Sequence, residues 1–296
     1  MKLQKFTEHQ RHIGIIGHKI SHALSPAMHT AAFKKLNLEY DYGVMDVNPE
    51  MLPNLIAALR SLNFRGANIT IPYKEKVIPL VDEVSEEARM IGAVNTIVNN
   101  NGRLVGYNTD AHGVYISLAY YAEEIKNNHV VIFGAGGAAR ATVYAVAKFF
   151  SPKRIMIINR TLENAKAIAD EFTPKFRLTK FFYTNEHDVT AREIDVAALL
   201  INTTSVGMKP LVNMHPLPPE AVIQNHQIVM DIVYNPLETA LLKLAHNAGA
   251  KTIGGIEMLL GQGAKAFELF THNEFPINTA REVILKELMH PHGNNQ

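Results

Sequence analysis

The chain has 296 residues, a formal net charge of +1 and a hydrophobic content of 47%. This length accommodates two domains with separate cores, and the near-neutral charge argues against binding to nucleic acid or to an acidic membrane. Cysteine is absent, which excludes disulfides, thiolate zinc sites and a cysteine nucleophile. A reducing compartment suits this composition, so we expect a cytoplasmic protein.

Targeting and metal-binding patterns are also missing. No apolar run approaches the ~20 residues that span a bilayer, and the polar segment 1–12 does not resemble a signal peptide. The 14 histidines show no metal-ligand spacing, and the polar tail at 290–296 is expected to fray. We therefore expect no membrane anchor and no bound metal.

The N-terminal half alternates segments of strand and helix character, which favours an α/β fold. Strands are predicted at 12–17, 38–47 and 66–71, followed by a hairpin of 93–98 and 103–107 around Asn99-Asn100-Asn101-Gly102. Helices are predicted from Pro26, with Ser25 as the N-cap, and at 49–62, 74–80, 85–90 and 111–124.

A glycine-rich turn follows a buried strand near the middle of the chain. Val130-Val131-Ile132-Phe133 runs into Gly134, and a helix is predicted over 138–148. The spacing Gly134-x-Gly136-x-x-Ala139 fits the dinucleotide fingerprint, in which backbone N–H groups and a helix N-terminus face a pyrophosphate. A tight turn without a ligand is the alternative, since the match alone is a weak signal.

The strand that follows the glycine turn strengthens the prediction of a cofactor site. Arg154–Ile158 completes a βαβ unit, and Asn159-Arg160-Thr161 follows it directly. The acidic residue that usually holds the ribose 2′-hydroxyl is missing, whereas Arg160 could pair with a 2′-phosphate. The pattern therefore predicts NADP as cofactor, with NAD as the alternative.

The rest of the chain continues the alternation. Helices are predicted at 161–171, 238–248, 254–269 and 278–288, and strands at 177–183, 197–202, 227–233 and 252–253. The start of the βαβ unit indicates a domain boundary near residue 111. We expect residues 1–110 to form one α/β domain and 111–254 a Rossmann-type dinucleotide-binding domain.

Several polar residues fall at predicted strand ends, where ligands bind in open parallel sheets. Oxidising an alcohol requires one group that takes the hydroxyl proton and others that orient the substrate. Lys74 and Asp110 are our candidates for the proton transfer. Lys74 could equally belong to a solvated helix start, and Asp110 could simply cap the following helix.

An ordered series of motifs extends over nearly the whole chain. It comprises Asn68-Ile69-Thr70-Ile71-Pro72-Tyr73-Lys74, Gly92-Ala93-Val94-Asn95-Thr96, Gly106-Tyr107-Asn108-Thr109-Asp110, the glycine turn, Asn159-Arg160-Thr161, Asn202-Thr203-Thr204-Ser205-Val206-Gly207-Met208, Asp231-Ile232-Val233-Tyr234-Asn235-Pro236 and Met258-Leu259-Leu260-Gly261-Gln262-Gly263-Ala264. The series resembles the shikimate/quinate 5-dehydrogenase family.

The resemblance implies two α/β domains with the active site in the interdomain cleft, and a substrate domain completed by the C-terminal helices of 255–296. It matches Lys74 and Asp110 to a catalytic pair, in which Lys74 takes or relays the hydroxyl proton. It implies substrate contacts for Ser25, Asn68, Thr70, Asn95, Tyr234 and Gln262. It implies cofactor contacts for Gly134, Ala135, Gly136, Gly137, Ala138, Asn159, Arg160, Thr161, Thr203, Gly255 and Met258.

Three positions depart from the family pattern. Ala23 stands where the family usually has the first of two serines that bind a substrate carboxylate, and Lys19 stands where proline is common. A missing hydrogen bond to a charged group costs ~1.5–3 kcal/mol, or about one to two decades in affinity. A second arginine seen in some NADP-preferring members is absent, since Glu163 and Asn164 occupy that turn.

The resemblance implies an NAD(P)-dependent dehydrogenase of a cyclic hydroxy acid, with shikimate/3-dehydroshikimate as the leading pair. Quinate is the second substrate, and Ala23 keeps open a paralogue that acts on another ring acid. A non-catalytic sensor of cofactor or metabolite is the alternative of a different class. The expected partners are small molecules, and the expected assembly is a monomer or homodimer.

Overall fold

A computed structural model describes residues 11–21, 23–62 and 64–289. The expectations for the first ten residues, for His22 and for the tail at 290–296 lie outside the described residues. The chain divides into two compact units, Met1–Thr109 with Gly263–Gln296 and Asp110–Gln262.

Within the described residues the strands are β1 Arg11–Gly17, β2 Tyr40–Asp46, β3 Phe64–Ile69, β4 Glu83–Val84, β5 Thr96–Asn100, β6 Arg103–Tyr107, β7 His129–Phe133, β8 Arg154–Ile158, β9 Lys180–Thr184, β10 Leu199–Asn202, β11 Ile228–Asp231 and β12 Lys251–Ile253. The α-helices are α1 Ser25–Lys35, α2 Leu52–Ala58, α3 Glu86–Ile91, α4 Asp110–Leu118, α5 Ala122–Ile125, α6 Gly137–Phe150, α7 Leu162–Phe172, α8 His187–Asp195, α9 Ala240–Asn247, α10 Gly255–Thr271 and α11 Ile277–Met289. No helix in this described part of the chain is long and apolar enough to cross a membrane.

The first unit is built on a mixed sheet of order β2-β1-β3-β5-β6-β4. β1 pairs in parallel with β2 and β3, whereas β3, β5 and β6 pair antiparallel. The hairpin between β5 and β6 is confirmed, and Asn101 and Gly102 both have positive φ, as a tight two-residue turn requires. A core of buried side chains, including Ile16, Ile69 and Ile97, lies on one face of this sheet.

The second unit is a fully parallel sheet of order β12-β11-β10-β7-β8-β9. The chain runs from β7 outward to β9, then returns to the other side of β7 with β10 and continues to β12. This reversal between β7 and β10 is the point at which doubly wound sheets bind dinucleotides. The sequence-based expectation of a two-domain α/β protein with a Rossmann-type half is confirmed.

The helix predicted over 74–80 is wrong. This segment consists of turns with a single 3₁₀ turn at Ile78–Leu80. The carbonyl of Lys74, which a helix would pair with the Ile78 N–H, accepts from the Val94 N–H at 2.7 Å instead, and Pro79 has no N–H to donate to the carbonyl that follows.

The sequence pattern also missed α8. Its buried side chains are Thr190 and Ile194, which have the i, i+4 spacing of one helix face. The threonine concealed that face, because only one of the two residues is apolar. α8 begins shortly after the end of β9.

Candidate active site

Ser25 does not cap α1, contrary to the prediction. The N-cap is Leu24, which makes no side-chain cap hydrogen bond. The hydroxyl of Ser25, which is 7% exposed, instead hydrogen-bonds the buried phenol of Tyr42 on β2. A tertiary partner has therefore replaced the local capping contact.

Tyr42 connects Ser25 with Asn68 at the end of β3. The Tyr42 hydroxyl donates to Asn68 Oδ1 at 2.7 Å. Asn68 Nδ2 donates to Thr96 Oγ1 at 3.0 Å and to the carbonyl oxygen of Asn95 at 3.4 Å. Burial raises the pKa of Tyr42, which keeps its phenol protonated and available as a donor.

The donors and acceptors of this network can be assigned. The carbonyl of Asn95 can only accept, so it fixes which end of the Asn68 amide carries the N–H groups. Both N–H groups of that amide are thereby used, and only Oδ1 retains free acceptor capacity. Asn68 is therefore suited to accept a hydrogen bond from a ring hydroxyl.

Asn95 fixes the backbone that leads into Asp110. Asn95 Nδ2 donates to Thr109 Oγ1 at 2.9 Å, and the Thr109 N–H donates to Asn95 Oδ1 at 2.7 Å. Asp110 follows at once as the first residue of α4, and it is 4% exposed. Its burial argues against a purely solvated helix-capping role.

Thr70 and Lys74 flank a rigid turn at the carboxyl end of β3. Tyr73 is fully buried, and its hydroxyl donates to the carbonyl of Val47 at 2.6 Å. The Tyr73 N–H donates to the Thr70 carbonyl at 2.9 Å, and the Lys74 carbonyl accepts from the Val94 N–H at 2.7 Å. The half-buried Lys74 is thus placed by the backbone of the turn, which is not a solvated helix.

Lys19 and Ile20, which lie in the segment that departs from the family pattern, are held by Asp46 at the end of β2. Its carboxylate accepts from the backbone N–H groups of Lys19 at 2.8 Å and Ile20 at 3.1 Å. Lys19 has a φ of 58°, which proline cannot adopt because its ring fixes φ near −65°. The backbone conformation here therefore requires a residue other than proline.

In the second unit the glycine turn has the shape of a phosphate cradle. Gly134 has a φ of 110°, and a Cβ there would lie 2.5 Å from Thr203 Oγ1. The exposed Gly136 has no atom within 4 Å of the place where a Cβ would lie, and α6 begins at Gly137, with Ala135 and Ala138 half-buried. An open backbone surface at a helix start suits the pyrophosphate of a dinucleotide.

At the end of β8, Asn159 Nδ2 donates to the Thr161 carbonyl at 2.8 Å, which closes the turn that carries the exposed Arg160. This turn borders a cavity of about 350 Å³ that Asn159 and Arg160 help to line. A fixed positive charge beside a cavity fits the 2′-phosphate of NADP better than the bare ribose of NAD.

Gly255 and Met258 lie at close contacts of α10. A Cβ atom at Gly255 would lie 2.4 Å from the carbonyl oxygen of Ile232. A Cβ atom at Gly113, on α4, would lie 2.6 Å from the carbonyl oxygen of Met258. Gln262 donates from Nε2 to the Leu259 carbonyl of the same helix at 2.8 Å. Close packing therefore requires glycine at positions 255 and 113, whether or not a ligand is bound.

Asp231 organises the loops around Thr203 and Tyr234. Its carboxylate accepts from Asn202 Nδ2 at 2.9 Å, from Thr239 Oγ1 at 2.7 Å and from the Val233 N–H at 3.0 Å. Burial raises the pKa of Asp231 to about 6. The sequence interpretation gave Asp231 and Tyr42 no role. Both are polar residues in predicted strands, which is the signal that could have found them.

The structure groups the predicted site residues by unit. Ser25, Asn68, Thr70, Lys74 and Asn95 belong to the first unit, and Asp110, Tyr234, Gln262 and the cofactor residues belong to the second. The pairing of Lys74 with Asp110 stays a prediction. No cluster of side chains that could hold a metal ion occurs among residues 11–21, 23–62 and 64–289.

Three family models match parts of this chain. Residues 15–97 match the model of the shikimate dehydrogenase substrate binding domain, residues 118–218 that of shikimate / quinate 5-dehydrogenase, and residues 255–285 that of the shikimate 5′-dehydrogenase C-terminal domain. The shikimate dehydrogenase (NADP(+)) of Carboxydothermus hydrogenoformans is 42% identical over 92% of this chain and 95% of its own length.

Solved structures are similarly close. A shikimate dehydrogenase crystallised with NADP+ has a TM-score of 0.86 at 40% identity, with 94% of this chain and 96% of the other covered. Shikimate 5-dehydrogenase from Listeria monocytogenes, in complex with shikimate and NAD, has a TM-score of 0.85 at 36% identity, with 96% and 99% covered. This chain belongs to the shikimate/quinate 5-dehydrogenase family.

Proposed function

We propose that the protein is an NADP-dependent dehydrogenase that interconverts shikimate and 3-dehydroshikimate. The observation that carries this proposal is the polar edge of the first sheet, where Asn68 lies near the end of β3, Thr70 and Lys74 follow β3, and Asn95 directly precedes the antiparallel β5. These side chains offer a neutral acceptor, a hydroxyl, a cation and an amide, which suit a polyhydroxylated ring acid. The name printed for the relative from C. hydrogenoformans, shikimate dehydrogenase (NADP(+)), supports the same assignment.

In the proposed reaction, a side chain of the protein accepts the proton of the reacting hydroxyl. A bound nicotinamide cofactor would supply the acceptor for the hydride that leaves the carbon carrying the reacting hydroxyl. Lys74 takes or relays the proton of that hydroxyl, and Asp110 hydrogen-bonds the same hydroxyl. Asn68 accepts from a second ring hydroxyl, which orients the reacting carbon.

The remaining site residues hold the two ligands. We propose that Ser25, Thr70, Asn95, Tyr234 and Gln262 contact the substrate. Cofactor contacts are proposed for Gly134 to Ala138, Asn159 to Thr161, Thr203, Gly255 and Met258.

The domain assignment is part of the same proposal. Residues 1–110, completed by 255–296, bind the substrate, and residues 111–254 bind the dinucleotide. We propose a cytoplasmic monomer or homodimer.

A substrate panel tests this function. We expect NADP reduction with shikimate at a higher kcat/KM than with quinate, and a lower kcat/KM with NAD than with NADP. Turnover of another ring acid alone would favour a paralogue that uses the vacancy at Ala23. Binding of cofactor without turnover of any ring acid would favour the sensor and contradict the proposal.

A further inference from the structure

The cavity beside Arg160 has a second polar wall on α8. It lies at the carboxyl ends of β8 and β9 and has a volume of about 350 Å³. One wall is the turn of Asn159 and Arg160, and the facing wall carries Asn185, His187 and Thr190. The third wall is the apolar segment Pro216–Pro219.

Backbone and side-chain hydrogen bonds fix the two polar walls relative to each other. β8 and β9 pair in parallel with Ile158 opposite Thr184, and the Asn159 N–H donates to the Thr184 carbonyl at 3.2 Å. Thr184 Oγ1 accepts from the Glu186 N–H at 3.1 Å, and Thr190 Oγ1 donates to the Glu186 carbonyl at 2.8 Å. The N-terminus of α8, which begins with His187, is thus held beside the turn that carries Arg160.

The walls have complementary chemistry. The proline-rich wall offers apolar side chains, which suit a purine ring. Arg160 carries a permanent charge, and a histidine ring can donate from its nitrogens and carry a charge when protonated. Within the described part of the chain neither side chain has an ion-pair partner, so both can turn to a ligand. A purine nucleoside with a phosphomonoester on its ribose matches these three walls.

Three acidic residues lie close to His187 and Arg160 in the chain and add negative charge around the phosphate site. Glu186 and Asp188 flank it on its own element, and Glu163 lies in the first turn of α7 beyond Arg160. None of the three lines the cavity. Arg160 alone would face a dianionic phosphate with these carboxylates nearby.

We infer that His187 binds the 2′-phosphate of NADP together with Arg160, and that His187 thereby helps to select NADP over NAD. Arg160 is the only cation among residues 159–164. His187 supplies the second donor from the neighbouring strand end. This inference rests on the NADP part of the proposed function and does not depend on the substrate.

Binding measured without substrate tests the inference. Isothermal titration calorimetry would give Kd for NADP, NAD, adenosine 2′,5′-bisphosphate and AMP with the wild type and with His187→Ala. Loss of one hydrogen bond to a charged group predicts about a tenfold weaker binding of NADP and of the bisphosphate. Kd for NAD and AMP should change less than about twofold. His226→Ala, at an exposed histidine outside the cavity, should change no Kd.

A second variant separates phosphate recognition from a structural effect. His187→Arg keeps a donor and a charge, so it should retain NADP selectivity, and all variants should keep the wild-type melting temperature without ligand. Equal weakening of NADP and NAD, or no change in either, would overturn the inference. Tight NADP binding with no turnover of any ring acid would refute the proposed function and leave this inference standing.

Discussion

His29 on α1 offers a test of the buried core of the first unit through pH. The imidazole is fully buried and stacks on Tyr42, with the two ring centroids 4.7 Å apart and an interplanar angle of 3°. Phe33, Phe267 and Phe275 surround it at centroid distances of 5.8 to 6.2 Å. In the described residues neither ring nitrogen has a hydrogen-bond partner. Burial therefore lowers the pKa of His29 from 6.5 to about 3.

The sign and size of the pH effect follow from that pKa. The unfolded chain binds a proton at His29 near pH 6.5, whereas the folded protein keeps the ring neutral until about pH 3. The free energy of unfolding therefore falls as the pH falls below 6.5, by ~1.4 kcal/mol per pH unit for this one group. Between pH 7 and pH 5 the loss is about 2 kcal/mol.

Asp231 acts in the opposite direction. Its folded pKa is raised from 3.8 to about 6, so its contribution to stability is present below pH 3.8 and is lost as the pH rises through 6. The pH dependence of the wild type alone would therefore mix the two groups. A variant of His29 separates them, because only the difference between variant and wild type reports on the histidine.

The experiment compares urea unfolding of the wild type and of His29→Leu at pH 7 and pH 5. The wild type should lose about 2 kcal/mol more than the variant over this range. His226→Leu, at an exposed site, should match the wild type. If the wild type and His29→Leu change by the same amount, the ring is solvated or hydrogen-bonded in the folded protein, and the description of this core is wrong.

Three further predictions concern the two ligand sites. Ala23→Ser should lower KM for shikimate about tenfold, because a serine hydroxyl restores a donor to the substrate carboxylate; an unchanged KM in steady-state kinetics would show that this hydroxyl does not limit binding. Tyr42→Phe removes the donor to Asn68, so KM for shikimate should rise several-fold while kcat and the calorimetric Kd for NADP stay constant; a fall in kcat alone would contradict this role. Gly136→Ala should keep the melting temperature of the apoprotein but weaken NADP binding at least tenfold in calorimetry. Gly134→Ala should instead lower the melting temperature, because its methyl group meets Thr203. Equal behaviour of the two variants would refute the role of the glycine turn as a phosphate cradle.

Local patterns were enough to predict the βαβ unit around the glycine turn. The apolar run before Gly134, the glycine spacing and the second strand at Arg154–Ile158 are all short-range signals, and each corresponds to the observed β7, α6 and β8. The hairpin at Asn101 and Gly102 is local in the same sense, because its turn needs two residues with positive φ.

The contacts that order the candidate site were not predictable in this way. Ser25 is a good helix cap by local rules, yet its hydroxyl binds Tyr42, a residue that only the tertiary fold brings near. Tyr42 and Asn68 are 26 positions apart in the chain. Hydrogen bonds between such distant side chains leave no periodic pattern in the sequence, so the hydrogen-bond partners of Ser25 and Asn68 were missed.

Substrate-dependent NADP reduction by Lys74→Ala tests the central claim most directly. We expect that the wild type reduces NADP with shikimate, that Lys74→Ala lowers kcat at least about a hundredfold, and that Kd for NADP is unchanged by calorimetry. Lys76→Ala, at an exposed lysine two positions away, should retain full activity. A Lys74→Ala protein with wild-type kcat, or a wild type that binds NADP but turns over no ring acid, would contradict it.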